Sequence, residues 1–102
     1  MIHVIAEIEV AAGCREDFLA EVARIVPEVL AEDGCLDYGP AIDIETNLPR
    51  QAPPRDDVVV MIERWRDIES LEAHLVAPHM LDYRQRVKEL VLGSQLRILR
   101  PA

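Results

Sequence analysis

The chain has 102 residues, half of them apolar and 29% charged, which suits one globular domain over residues 1–102 and excludes both a disordered chain and a second independent core. Its net charge of -8 makes a surface that repels phosphate backbones and anionic headgroups, so neither nucleic acid nor a membrane is an expected partner. Apolar runs such as Val58-Val59-Val60-Met61-Ile62 also fall far short of the ~20 residues that a bilayer-spanning helix needs.

Met1-Ile2-His3-Val4 leads straight to Glu7 and Glu9, without the basic stretch of a secretory signal, which predicts a cytoplasmic location. Residues 2–10 alternate Ile2, Val4, Ala6, Ile8 and Val10 against His3, Ile5, Glu7 and Glu9, the period of a strand. Over residues 14–31, Phe18, Leu19, Val22, Ile25, Val26, Val29 and Leu30 recur at three- and four-residue intervals, as on one stripe of a helix. Pro27 predicts a kink or an early end to it, and Asp33-Gly34 a stop. A second strand runs from Cys35 through Leu36, Tyr38, Ala41, Ile42 and Ile44, with Gly39-Pro40 implying a bulge or an edge position. Residues 45–57, with Pro49, Pro53 and Pro54, form the one long loop and a candidate lid.

Residues 58–65 make the strongest strand, β-branched and apolar at both parities, so that both faces are expected to be buried. Asp67 can cap a helix carrying Ile68, Leu71 and Leu75 up to Pro78. A further helix uses Met80, Tyr83, Val87, Leu90 and Val91, with Gly93 closing it, and a last strand spans residues 95–100. Cys14 and Cys35 form no C-x-x-C pair and are read as reduced thiols in small packing positions. The order β-α-β-β-α-α-β builds an α+β ferredoxin-like sandwich, four antiparallel strands with helices on one face. Aliphatic residues at both parities of the first and third strands also predict a covered second face, most simply in a homodimer.

Several blocks in this order resemble the antibiotic biosynthesis monooxygenase superfamily, and within it the small quinol monooxygenases. They are Val4-Ile5-Ala6-Glu7-Ile8, Ile25-Val26-Pro27-Glu28-Val29-Leu30, Glu32-Asp33-Gly34-Cys35 with Tyr38, Met61-Ile62-Glu63-Arg64-Trp65, Leu71-Glu72-Ala73-His74-Leu75 with Pro78-His79-Met80, and Arg97-Ile98-Leu99. The resemblance covers nearly the whole chain. It implies a dimeric α+β barrel in which two sheets pack face to face, each subunit keeping a pocket between sheet and helices. It further implies oxidation of an aromatic quinol or phenol by dioxygen, with no metal or organic cofactor; the partners are then a small aromatic substrate, dioxygen and a second copy of the chain. Such chemistry needs a base for the phenolic proton, hydrogen-bond donors for the phenolate and an apolar enclosure.

His74, at the edge of an apolar stripe, has the ordinary pKa range of such a base, and is equally read as a half-buried histidine bonded to a carbonyl or packed at a subunit contact. Trp65 and Glu63 share one strand face. The tryptophan is expected to floor an aromatic pocket or to pack in the core, and the acid to pair with a cation or, less commonly, to have a raised pKa. Tyr38 is a candidate donor to a substrate oxygen. His79, Met80 and Tyr83 join Glu63 as candidates for contact with substrate, although residues on a helical stripe more often serve the core. His3 is a weaker candidate. His74 and His79 are spaced H-x4-H rather than the i, i+4 of helical zinc sites, so no metal is expected. Haem-degrading relatives use an asparagine in the first strand and a histidine in the last helix; the one asparagine here is Asn47, and no histidine follows His79, which disfavours haem. The alternative from another class is a non-catalytic dimeric module that binds a quinone or another flat hydrophobic molecule.

Overall fold

A computed structural model describes Met1–Ala102. The elements are β1 (Ile2–Val10), α1 (Arg15–Leu30), β2 (Cys35–Ala41), β3 (Val58–Trp65), α2 (Ile68–Leu75), α3 (Pro78–Val87) and β4 (Val91–Leu99). All strand pairings are antiparallel, in the order β2-β3-β1-β4, which is the expected α+β ferredoxin-like arrangement. No helix is long and apolar enough to cross a membrane.

The alternation of β1 decides which residues meet the helices. Ile2, Val4, Ala6 and Ile8 stand opposite Trp65, Glu63, Met61 and Val59 of β3, and residues directly opposite each other project from the same face. This face packs on Phe18, Val22, Ile25 and Val29 of α1, Leu71 of α2, and Met80, Tyr83 and Val87 of α3. The other face presents Ile5, Glu7, Val60 and Ile62 and carries no helix. Ile62 is 46% exposed, so within one chain β3 is buried on one face only, against the two expected. β4 lies at the sheet margin, with every residue from Leu92 to Leu99 exposed.

Other boundaries also differ from the sequence expectation. α1 runs through Pro27 without an early end, and Ala31 N–H donates to the Pro27 carbonyl at 3.2 Å. One backbone donor is lost there, but Ile25 and Val29 on either side are fully packed, and their burial holds the turn together. β2 stops at Ala41, short of Ile44, and its irregularity falls between Cys35 and Asp37. Gly39-Pro40 is accommodated because β2 is an edge strand, the second option considered above. α3 ends at Val87, and Gly93 lies inside β4 opposite Glu9. Leu90 falls in the turn after the helix, its N–H donating to the Val87 carbonyl at 2.8 Å, while Val91 suits a strand start as well as a helix stripe, and pairing with β1 selects the strand. The long loop does not close over the helix-covered face: Arg55 donates to Asp43 at 2.8 Å and to Glu7 at 3.0 Å, tying the loop to the helix-free face.

Asp67 caps α2, accepting from the Ser70 N–H at 2.8 Å and the Ser70 hydroxyl at 2.6 Å. That cap leaves no room beside Gly34, which has φ +85° and whose added Cβ would lie 2.1 Å from Ser70 Oγ and 2.6 Å from Ser70 Cβ. Gly34→Ala is therefore expected to cost about 2 kcal/mol or more, read as a lower urea midpoint. Adding Ser70→Ala should not restore it, because the β-carbon clash and the left-handed backbone both remain; recovery in the double variant would refute this.

Candidate active site

Three segments converge on one carboxylate. Ala77, which precedes a proline, adopts ψ 142°, the extended conformation that proline imposes on its predecessor. This ends α2 and turns the chain sharply into α3, so His74 from one helix and His79 from the next face the same point. That point is Glu32, in the turn after α1. Its Oε2 lies 2.8 Å from His74 Nδ1 and 2.7 Å from His79 Nε2. A carboxylate only accepts, so each of these nitrogens carries the proton, and in neutral His74 the lone pair falls on Nε2. Burial holds the His74 pKa below its ordinary 6.5, against the opposing pull of the Glu32 carboxylate. The ring is thus neutral at pH 7.

Trp65 and Tyr38 fix the imidazole from other sides. The Trp65 ring centroid is 4.7 Å from that of His74, and Tyr38 meets it edge-on at 5.5 Å. Trp65 Nε1 donates to Glu63 Oε1 at 2.9 Å. Glu63 has no cation partner, contrary to the pairing favoured from sequence: its cross-strand neighbours on this face are Val4 and Tyr38. Burial raises its pKa, partly offset by the indole bond.

Beside this group lies a cavity of about 450 Å³ between sheet and helices, within the ~300–1,000 Å³ typical of small-molecule sites. Its wall is mostly apolar, with Phe18, Met61, Met80 and Leu96 among the lining residues, and it also includes Tyr38, Glu63, His74 and Tyr83. No buried polar side-chain atom shut off from solvent lacks a hydrogen-bond partner. The Tyr38 and Tyr83 hydroxyls and His74 Nε2 make no hydrogen bond within the chain, so these atoms open onto the cavity. Burial pushes both tyrosine pKa values upward, which keeps the hydroxyls as donors.

The structure thus gathers Tyr38, Glu63, His74, Met80 and Tyr83 around one space. Trp65, 0% exposed, and His79 stand behind His74 rather than in the wall. His3 is on the opposite face of the sheet. The residues missed by sequence reading are Glu32, separated from His74 by 42 positions, and two cations in the cavity wall, Arg84 and Lys88. Only folding reveals Glu32, whereas Met80, Arg84 and Lys88 at i, i+4 and i+8 were a readable helical row. No residue of the long loop lines the cavity, so the loop is not its lid.

This fold and site define a class: the chain belongs to the antibiotic biosynthesis monooxygenase family, whose model matches residues 1–86, and it is an enzyme of monooxygenase type. Among curated proteins it is 45% identical over 103 residues, spanning 99% of this chain and 98% of the other, to one from Escherichia coli K12 named "Probable quinol monooxygenase YgiN". Among solved structures it resembles PA3566 from Pseudomonas aeruginosa at 28% identity with a TM-score of 0.80, covering 99% of this chain and 94% of that one. Rv0793 from Mycobacterium tuberculosis is similar at 26% identity, with the same TM-score and the same coverage of both chains.

Glu63 provides a test of the buried polar wall. Because its pKa is raised by folding, the native chain holds this proton more tightly than the unfolded chain. That linkage favours the fold at acid pH and is lost as pH rises past the ordinary carboxylate range. Glu63→Gln keeps a carbonyl for the indole and removes the charge, so it should raise stability at pH 7 by about 1 kcal/mol, with little change at pH 4. Urea titrations at the two pH values measure this, and a less stable variant at pH 7 would contradict it.

Proposed function

We propose that this enzyme is a cofactor-independent monooxygenase of aromatic quinols or phenols, with His74 as the base. The observation that carries this reading is the His74 Nε2 lone pair, aimed by the Glu32 bond at the opposite ring nitrogen, opening onto an apolar cavity with two tyrosine hydroxyls. The similarity to a protein named as a quinol monooxygenase supports the substrate class.

Triplet dioxygen reacts slowly with closed-shell molecules, so the substrate must become the electron donor. His74 Nε2 takes the phenolic proton, and the Glu32 carboxylate stabilises the imidazolium that forms, as an acid does behind a catalytic histidine. Tyr38 donates to the phenolate oxygen, and Tyr83 is placed to do the same. The electron-rich phenolate gives one electron to dioxygen, and the resulting superoxide and ring radical combine at a ring carbon. Cleavage of the O–O bond leaves one oxygen on the ring in place of its C–H hydrogen and releases the other as water with the two hydroxyl protons. The quinol supplies all four electrons. Apolar walls favour this course by excluding water from the charged intermediates. Trp65 and His79 act as positioning residues for the imidazole and its acid.

Oxygen uptake with a reduced naphthoquinol, by chelator-treated protein with catalase and superoxide dismutase present, is expected to be saturable and proportional to enzyme. His74→Ala should leave the fold intact and slow turnover about 10²-fold or more. Because the base works only when neutral and its pKa is lowered, activity should persist on acidification to 6.5 and fall below it. Uptake equal to the blank across several quinols and phenols would favour the non-catalytic binding module instead.

The helix-free face supports a homodimer closed by face-to-face packing of two sheets. No helix covers it: Ile5 and Val60 are half-buried and Ile62 is exposed, and an apolar patch of this kind marks an interface. Light scattering at micromolar protein should give about twice the 11.5 kDa chain mass; a monodisperse species of single-chain mass would sink this arrangement.

A further inference from the structure

The cavity is charged differently from the surface around it. Acids outnumber bases by 19 to 11 in the chain, yet the exposed charged side chains in the cavity wall are both cations, Arg84 and Lys88. They follow Met80 at four-residue steps along α3 and its C-cap, so about 6 Å, slightly more than one turn of helix, separates them along the axis. Arg86, between them in sequence, turns elsewhere and is held by Glu21 at 2.7 Å and by Asp82. Arg84 and Lys88 enter no ion pair. The single acid in the wall, Glu63, is buried, and its Oε1 is engaged by the Trp65 indole N–H at 2.9 Å, away from the two exposed cations. Arg84 reaches the interior electrostatically, since its charge disfavours protonation of His74.

We propose that the site takes an aromatic quinol bearing a ring carboxylate, with the phenolic hydroxyl at His74 and the carboxylate at Arg84 and Lys88. This deepens the quinol reading above and rests on it. An apolar interior cannot hold the carboxylate, whose desolvation would go uncompensated there, so the group must stay at the mouth. That is where the two cations stand. They also supply a local attraction for an anion that the net charge of the chain would otherwise repel, and they set which end of an elongated ring system enters first.

The test uses the quinols with dioxygen excluded, so that neither turns over: 1,4-dihydroxynaphthalene and its 2-carboxylate, titrated into the full-length protein by anaerobic calorimetry. In 20 mM salt the carboxylate is expected to bind about tenfold more tightly than the neutral quinol, as two solvent-exposed charge contacts provide. This preference should shrink severalfold in 0.5 M salt, where the screening length falls to a few ångströms, and Arg84→Gln with Lys88→Gln should bring the ratio to about one. Equal binding of the two probes, or a preference that survives the double substitution, overturns the proposal while leaving the quinol reading intact. Binding of neither probe, together with oxygen uptake at the blank rate, overturns both.

Discussion

The Glu32 carboxylate is the point on which the active region depends. It follows the end of α1, and a single oxygen accepts hydrogen bonds from histidines at the end of α2 and the start of α3. Three helices are thereby joined by two short, charge-assisted contacts in a partly buried place, where such bonds are stronger than in water. The same contacts choose the tautomer of His74. A structural clasp and a chemical choice are therefore one interaction, and the placement of the imidazole follows from the packing of the helices.

A graded polar environment surrounds that clasp. Trp65 donates to Glu63, packs at a tilt against His74 and is wholly enclosed, so it holds both an acid and an imidazole in place without facing the cavity. The tyrosines differ: their rings pack in the core, while their hydroxyls are left for a ligand. Such a site is preorganised, with the polar atoms fixed before any substrate arrives. Desolvation supports the chemistry as well, since it keeps the imidazole neutral and the phenols protonated at the same pH.

The fold was readable because its signals are local. Period-two alternation in β1 and β3, the three- and four-residue spacing in α1, Asp67 as a cap and Pro78 as a helix start each act within a few residues, and each appears where sequence placed it. Boundaries failed where two local preferences tied: Val91 suits helix or strand, and only the partner β1 breaks the tie. Tyr38, Glu63, Met80 and Tyr83 could be named because the parity of a strand or a helical stripe points them inward, and His74 because it borders such a stripe. Glu32 could not, because an acid following a helix looks like any solvated residue until α2 and α3 fold over it. The state of Glu63 was also hidden, since the absence of an arginine opposite it depends on register with β1 and β2.

The two margins of the sheet are unequal. β2 carries Pro40, which has no backbone N–H and a fixed φ, and so offers a poor template for another strand. β4 has no proline within its span and exposes Leu92, Leu96, Ile98 and Leu99 along its length. A strand adding to this sheet would therefore find a backbone donor missing along β2 and none missing along β4, so the placement of one imino acid makes the two margins unequal as templates.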